Sequence, residues 1–522
     1  MKCLEDQAKQ ARLKANDVYK MKDFSAALNL YDTSIRYAVI NSECYFKSLS
    51  NKSAVLFEMK SFKQCLEIID FLFSTELEFL APFFTDVAKD RLNKRKALCL
   101  HFVGDEVLAS HPSKEFLGFS SILEKSDNIE LNISEDRERS LVTKRDMNVG
   151  EDLFKESAFA TSLAPNLWDQ NCYGCFKSTV LGVVVPCESC SNVQYCSLAC
   201  RKKDFIHQKV ECTQMSFIKD IGMAHLAVKV FLHTDPKTLN DKVFSKGKTD
   251  QIKTESVNDD FEDVNRLVLS LSYNENVFEN ISKEFDDNAI DVIVRKFITP
   301  FYPLIAISIL SAHLMTILAQ MYNNASTIQV LVDDEMISVG CGIYPTLALA
   351  NHSCYNNTLC LFNDGDLTVK STVAIPAGQE VFNTYGPNFE FVKRDERQST
   401  LFQHYGFVCR CIPCEKDWVK TMDYRSVKCN KCSTDFTLSA GVDCCTHCND
   451  DITALVDSLS ALEEWYNRAY EMFQEKRWGE VLAVLKNPSL RKSLNSGLRL
   501  PDTLALDWND LGRKCLIKIF YN

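Results

Sequence analysis

Between residues 172 and 212 the chain sets out Cys172-x2-Cys175-x11-Cys187-x2-Cys190-x5-Cys196-x3-Cys200-x6-His207-x4-Cys212. Eight such ligands make two tetrahedral metal sites, because each close cysteine pair supplies two soft thiolates from one tight turn. A stretch of about forty residues buries too little surface to fold without that metal, so its zinc is structural and binding energy becomes folding energy. A disulfide scaffold would use the same cysteines, but His207 falls where a ligand is needed. The opening MKCLEDQAKQARLKAND carries no apolar signal region, so the 23 cysteines are expected in a reducing compartment.

Two later clusters repeat the theme. Cys409-x-Cys411-x2-Cys414 offers three ligands where a tetrahedral site needs four. Cys429-x2-Cys432 and Cys445-x2-Cys448 form a zinc-ribbon-like pair of knuckles, with Cys444 able to stand in for Cys445. Upstream, Cys354 in ANHSCYNN has no partner by spacing and follows an Asn-His-Ser too polar for a core.

A chain of 522 residues exceeds one hydrophobic core, so three or four domains are expected. Its net charge of −11 argues against binding a phosphate backbone and suits a basic partner such as a lysine-rich protein segment. The local basic patch of Arg201, Lys202, Lys203 and Lys209 reads as a solvated helix face. The uncharged run from Phe297 to Met321 has the length of a membrane span. It is diluted by Pro300, Pro303, Ser308, Ser311, His313, Thr316 and Gln320 and lies between cysteine modules that need one redox environment, so a buried helix pair is expected.

Along the chain, residues 1–103 read as helical repeats. Ala15, Val18, Phe24, Ala27 and Tyr31 are echoed 38 residues on by Ser53, Leu56, Phe62, Cys65 and Ile69, a spacing like that of tetratricopeptide (TPR) helix pairs. A third pair would include RLNKRKALCLHF. Residues 104–136 are polar and aperiodic, hence a linker. SLVTKRDMNVGEDLFKESAFATSL alternates as strands with a turn at Asn148-Val149-Gly150. Residues 213–327 are mainly helical around a charged insert, strands return from Ile328 to Gly386, and from Ile452 helices resume, with Ala469, Phe473 and Trp478 again spaced as in a TPR pair.

The eight-ligand spacing matches the MYND zinc finger. Placed between SLVTKRDMNVGEDLFKESAFATSL and VGCGIYPTLALANHSCYNNT, and followed by GQEVFNTYGP and QHYGFVCRCIPC, it makes the chain resemble the SET and MYND domain-containing (SMYD) protein-lysine methyltransferases of the TPR-bearing type. The fold class implied is multidomain α+β. It runs from TPR-like repeats (1–103) and the linker (104–136) to a SET domain split into 137–171 and 328–390. Within the split lie the MYND finger (172–212) and a helical SET insert (213–327). A post-SET zinc site (391–415), zinc-ribbon-like knuckles (425–450) and a C-terminal helical, TPR-like region (452–522) follow.

The resemblance pairs Cys172, Cys175, Cys196 and Cys200 on one zinc and Cys187, Cys190, His207 and Cys212 on another. It makes Cys354 the fourth ligand of Cys409, Cys411 and Cys414. With Cys429, Cys432, Cys445 and Cys448 that implies four zinc ions. It makes Tyr385 the catalytic tyrosine and Tyr405 a second tyrosine of the lysine channel. S-adenosyl-L-methionine would be held by Asn324, Asn351, His352, Tyr385 and Phe407, with Arg137 and Arg139 beside it. By residue type alone, Asn351 and His352 are turn residues and Asn324 a helix cap.

The chemistry explains the demands. A lysine must arrive neutral to attack a sulfonium methyl group, yet on the order of one in a thousand is neutral at pH 7. An apolar channel and the sulfonium charge both lower that pKa, and orientation supplies the rest. Two positions depart from the family pattern. Glu138 and Ser140 stand where most SET domains have glycines in the cofactor loop, and Asn356 stands where proline is usual before Asn357. These departures favour the alternative of a catalytically weak SET/MYND/TPR scaffold that recruits partners of chaperone or corepressor type. Implied partners are a lysine-bearing protein substrate and proline-rich or chaperone-type peptides, with no nucleic acid and no membrane, for a monomer of cytoplasm and nucleus.

Overall fold

The computed structural model describes residues 2–103, 126–134, 139–234, 264–332, 334–417, 426–429, 431–432, 434–437, 444–486 and 502–521. Helices α1 (Lys2–Lys20), α2 (Phe24–Tyr37), α3 (Glu43–Glu58), α4 (Phe62–Leu72) and α5 (Asp86–Val103) form the N-terminal body. Asp23 caps α2 by accepting the Ala26 N–H at 3.0 Å, and Ser42 caps α3 through the Tyr45 N–H. Ala8, Ala15 and Ala27 are fully buried, so small side chains let the helices close on one another, while Tyr31, Leu49, Leu56, Cys65 and Ile69 fill the remaining space. The spacing expected of these residues is therefore a packed face. Helix α5 carries RLNKRKALCLHF, the stretch expected in a third pair, and packs against α4.

This body is seated on the cysteine-rich segment. Lys52 is fully buried, 2.6 Å from Asp32, and donates to the Thr179 carbonyl at 3.0 Å. The Tyr45 hydroxyl donates to the Val184 carbonyl at 3.1 Å, and Val184 joins the helical core.

One expectation is corrected. Part of the expected linker is strand β1 (Ile129–Ile133), antiparallel to β2 (Arg139–Thr143). Ile129, Leu131 and Ile133 alternate along it and Ile129 is fully buried, which is the period-2 signal of a strand hidden in a polar context.

Strands β3 (Asp152–Ser157) and β4 (Ala160–Leu163) precede the cysteine run; β5 (Val185–Pro186) and β6 (Gln194–Tyr195) lie inside it; β7 (Ser326–Val332), β8 (Glu335–Ile343), β9 (Thr358–Asn363) and β10 (Asp366–Ser371) follow. The sheet orders are β3-β10-β9 and β4-β8-β7. Ala160 pairs with Ile343, and Phe154 with Val369, so strands on both sides of the insertion make common sheets. The turn at Asn148–Gly150 is present, with Gly150 at φ +80. A Cβ there would sit 2.9 Å from Leu516, which explains the glycine twice over.

The insert contributes α6 (Met223–His233), α7 (Asp287–Ile293) running into a π-helical turn at Val294–Ile298, and α8 (Ile307–Asn324). Phe297, Ile298, Leu310, Leu314, Leu318 and Met321 are buried, as a helix pair requires. No helix among the described residues is long and apolar enough to cross a membrane.

The segment 379–383 threads between two others. On one edge the Val381 N–H donates to Leu141 at 2.7 Å and the Thr143 N–H to Gln379 at 3.0 Å. On the other the Asn383 N–H donates to Asn351 at 2.8 Å and the Ser353 N–H to Asn383 at 2.9 Å. Three stretches far apart in sequence thus share one backbone network.

Helices α9 (Arg394–Tyr405), α10 (Thr453–Gln474), α11 (Trp478–Leu485) and α12 (Asp502–Tyr521) complete the chain. Ala469, Val481, Leu482, Leu511, Cys515 and Leu516 form a small core against which Phe473, Trp478 and Leu359 of β9 pack.

Candidate active site and its zinc centres

Four ligand sets converge, each with its ligand atoms within 4.8 Å of one another: Cys172, Cys175, Cys196, Cys200; Cys187, Cys190, His207, Cys212; Cys354, Cys409, Cys411, Cys414; and Cys429, Cys432, Cys445, Cys448. Sulfur separations are 3.5 Å for Cys175–Cys196, 3.6 Å for Cys196–Cys200, 3.8 Å for Cys187–Cys212, 3.5 Å for Cys354–Cys414 and 3.7 Å for Cys432–Cys445. A tetrahedron with arms of about 2.3 Å has edges near 3.8 Å, so the donors fit a zinc ion. A disulfide needs about 2.05 Å, and these cysteines are free. Cys445 takes the fourth set's position, while the neighbouring Cys444 pairs its backbone with Asp451.

His207 turns Nε2 toward Cys187 at 3.3 Å and Nδ1 toward the Glu211 carboxylate at 3.7 Å. Glu211 is fully buried, accepts the Tyr173 hydroxyl at 3.0 Å and meets His225 Nε2 at 2.8 Å. The other nitrogen of His225 meets Ser162 Oγ of β4 at 2.8 Å. Glu211 thus stands as a buried charge behind His207 and, through His225 and Ser162, ties the finger to a sheet.

The Cys354 set is supported by Arg397, fully buried, which donates to the Pro413 carbonyl at 3.3 Å and reaches Cys414 Sγ at 3.5 Å. Gln398 holds Cys409 twice, accepting its N–H at 3.0 Å and donating to its carbonyl at 2.6 Å.

Beside this set four rings gather. Tyr385 and Tyr405 are 4.7 Å apart between centroids, His352 lies 5.3 Å from Tyr385, and Phe407 lies 6.2 Å from His352 and 6.4 Å from each tyrosine. The Tyr385 hydroxyl donates to the Ala350 carbonyl and the Tyr405 hydroxyl to the Tyr385 carbonyl, both at 3.1 Å. Burial pushes the Tyr385 phenol up to about 12, so it stays protonated. Gly406, at φ +77, ends α9 in the left-handed conformation and turns the chain so that Tyr405 and Phe407 both reach the cluster. Asn323 donates to the His404 carbonyl and Asn274 to Gln403, tying this helix end to the insert.

Asn351 spends both amide protons, on the Arg139 carbonyl at 2.8 Å and on Glu380 Oε1 at 2.7 Å. Its Oδ1 is then the atom with which it would meet a ligand, an acceptor suited to an ammonium group. The Arg139 guanidinium acts on Tyr385 electrostatically, pulling its phenol down against burial. Ser140 lies in β2, whereas Arg137 and Glu138 fall outside the described residues. Asn324 sits at the end of α8, its amide donating to Ser272 at 2.8 Å and Gln320 at 2.9 Å, so it serves the helix terminus.

Comparison with known proteins supplies the rest. The MYND finger family model matches residues 172–212. Protein-lysine N-methyltransferase SMYD4 of Danio rerio is 22% identical over 92% of this chain and 76% of its own length. The Homo sapiens SMYD4 is 22% identical over 89% and 74%, and N-lysine methyltransferase SMYD2-B of Xenopus laevis is 28% identical over 53% and 58%. The chain is thus similar to SMYD proteins over most of its length.

Several residues of this chain gave no signal in the sequence. Glu380 holds Asn351, and fully buried Glu156 accepts the N–H groups of Thr346 and Leu347 at 2.7 and 3.2 Å, fixing the turn that leads into Asn351. Arg397, in the polar run KRDERQST, looks like any solvated arginine. A lone charged residue carries no period or spacing, so only the folded chain reveals these roles.

Proposed function

We propose that this protein is a protein-lysine N-methyltransferase, as the names of its SMYD relatives state for them, and that it takes its methyl group from S-adenosyl-L-methionine. The observation that carries the reading is the gathering of Tyr385, Tyr405, Phe407 and His352, the residue after Asn351, into one aromatic cluster beside a metal set that includes Cys354. The cofactor supplies an electrophilic methyl group on a sulfonium. Asn351 Oδ1 and the Arg139 guanidinium offer an acceptor and a cation for its amino-acid end, and the aromatic faces suit a sulfonium. With its phenol protonated, Tyr385 orients the lysine amine and does not act as its base; the burial that raises this phenol also lowers an incoming ammonium.

The division into TPR-like repeats, a split SET domain, MYND finger, post-SET zinc site, ribbon-like knuckles and C-terminal TPR-like helices belongs to this proposal. It is supported by the helix packing, the strand pairs that span the insertion and the four ligand sets. Zinc would be held by those sets and would supply folding energy. The free cysteines among the described residues would suit cytoplasm and nucleus.

A second activity, peptide recruitment, has its own support. Asn51 donates to Asn16 at 3.0 Å across α3 and α1, and Arg95 of α5 donates to Ser53 at 2.7 Å, so polar side chains lie among the N-terminal helices that would take a chaperone-type peptide.

Isothermal titration of S-adenosylmethionine, followed by methylation of a protein extract with and without Tyr385→Phe, tests the enzyme. Absence of cofactor binding would overturn it.

A further inference from the structure

Cys354 is followed by Tyr355 and Asn356, and both are held from the far end of the chain. Arg513 on α12 places Nη2 2.6 Å from the Asn356 carbonyl oxygen and 3.2 Å from its Oδ1. Its guanidinium carbon lies 5.9 Å from the centre of the Tyr355 ring, and Asn509, one turn earlier, donates its amide to the Tyr355 hydroxyl. Asn356 uses its own amide N–H on Thr358 at 2.7 Å, so its side chain and backbone are both engaged.

The helix bearing Arg513 is itself pinned. Leu511, Cys515 and Leu516 are buried in the C-terminal core, and Leu516 fills the space left by Gly150. The Tyr521 hydroxyl accepts the Phe362 N–H of β9 and donates to the Gln329 carbonyl of β7, both at 3.1 Å. Lys518 pairs with Asp334 in the turn between β7 and β8. A rigidly seated guanidinium that donates to a backbone carbonyl and the side-chain oxygen of the same residue restricts that residue much as a proline ring would, but from outside the loop.

We propose that Arg513 is a positioning residue and α12 a strap: together they hold residues 351–357 in the shape that brings Asn351 and His352 to the cofactor and Cys354 to its zinc. The C-terminal helices thereby set cofactor affinity without touching the cofactor. The affinity part rests on the methyltransferase reading above; the strap itself does not.

The test compares Arg513→Met, Arg513→Lys and, on the exposed face of the same helix, Lys514→Met as control. Three measurements are made on the full chain: zinc per chain by native mass spectrometry, affinity for S-adenosylhomocysteine by titration, and hydrogen exchange of residues 350–357 without ligand. Arg513→Met is expected to keep four zincs, bind at least tenfold more weakly and exchange faster at 350–357, with Arg513→Lys between it and the wild type and Lys514→Met unchanged. Affinity within twofold of wild type, or unchanged exchange, overturns the proposal. If Arg513→Met fails to fold, Arg513→Lys decides by the same two criteria, since it keeps charge and stem but reaches one oxygen at a time. If the wild type itself does not bind the probe, the cofactor reading fails, and the exchange comparison alone decides the strap.

Discussion

The imidazole of His352 joins Tyr385 to Cys354: Nδ1 accepts the Tyr385 backbone N–H at 3.0 Å and Nε2 lies 3.3 Å from Cys354 Sγ. A backbone N–H can only donate, so Nδ1 is the bare nitrogen and Nε2 carries the proton that points at the sulfur. Burial holds the ring neutral, with its pKa down to about 4. The zinc set and the aromatic cluster therefore share one hydrogen-bonded ring.

Cys354→Ser is expected to lower the zinc count from four to three and to weaken cofactor binding roughly 10- to 100-fold, the usual range when a metal site's support is broken. Cys429→Ser also removes one zinc but lies in a separate set, and its cofactor affinity should stay at the wild-type value. Native mass spectrometry beside titration reads both. Loss of zinc at Cys354 with full affinity would show that the shared ring transmits nothing.

Tyr385→Phe keeps the ring packing against Tyr405 and removes the bond to Ala350. The expected cost in stability is about 1 kcal/mol, whereas single-turnover methylation should slow roughly 10²-fold because the amine loses its alignment. Equal single-turnover rates in the two proteins would exclude an orienting role for the hydroxyl.

Lys52→Met leaves the Asp32 carboxylate buried without its partner and removes the bond to Thr179. Urea unfolding should show a loss of about 3–5 kcal/mol, and adding Asp32→Asn should recover much of it, because the penalty is the stranded charge. A single variant as stable as wild type would mean the pair does not hold the helical body to the finger.

Glu156 titrates where it matters. Burial raises its carboxyl to about 7 from the ordinary 4.5, against the pull of the Thr346 and Leu347 N–H groups. Between pH 4.5 and 7 the folded protein then binds more protons than the unfolded chain, so stability falls as pH rises through that window. Between pH 5 and pH 8 the wild type should lose roughly 2 kcal/mol relative to Glu156→Gln. Denaturant midpoints at the two pH values check it, and parallel pH slopes would refute it.

The residue types and spacings determined a great deal by themselves. Close cysteine pairs, the His207 position, the alternation around Asn148–Gly150 and the apolar spacing of the helical repeats are local patterns, each readable because one turn, strand or helix face generates it. Tertiary structure alone decided what depends on distant segments meeting. It brought Cys354 to Cys409, Cys411 and Cys414, chose Cys445 over Cys444, and converted part of an apparent linker into β1 because a partner strand was within reach. It also gave Glu156, Glu380, Arg397 and Arg513 partners far away in the chain. A single charged side chain looks the same in sequence whether water or a buried carbonyl awaits it. Only chain closure, which sets the dielectric and the donors around it, separates the two.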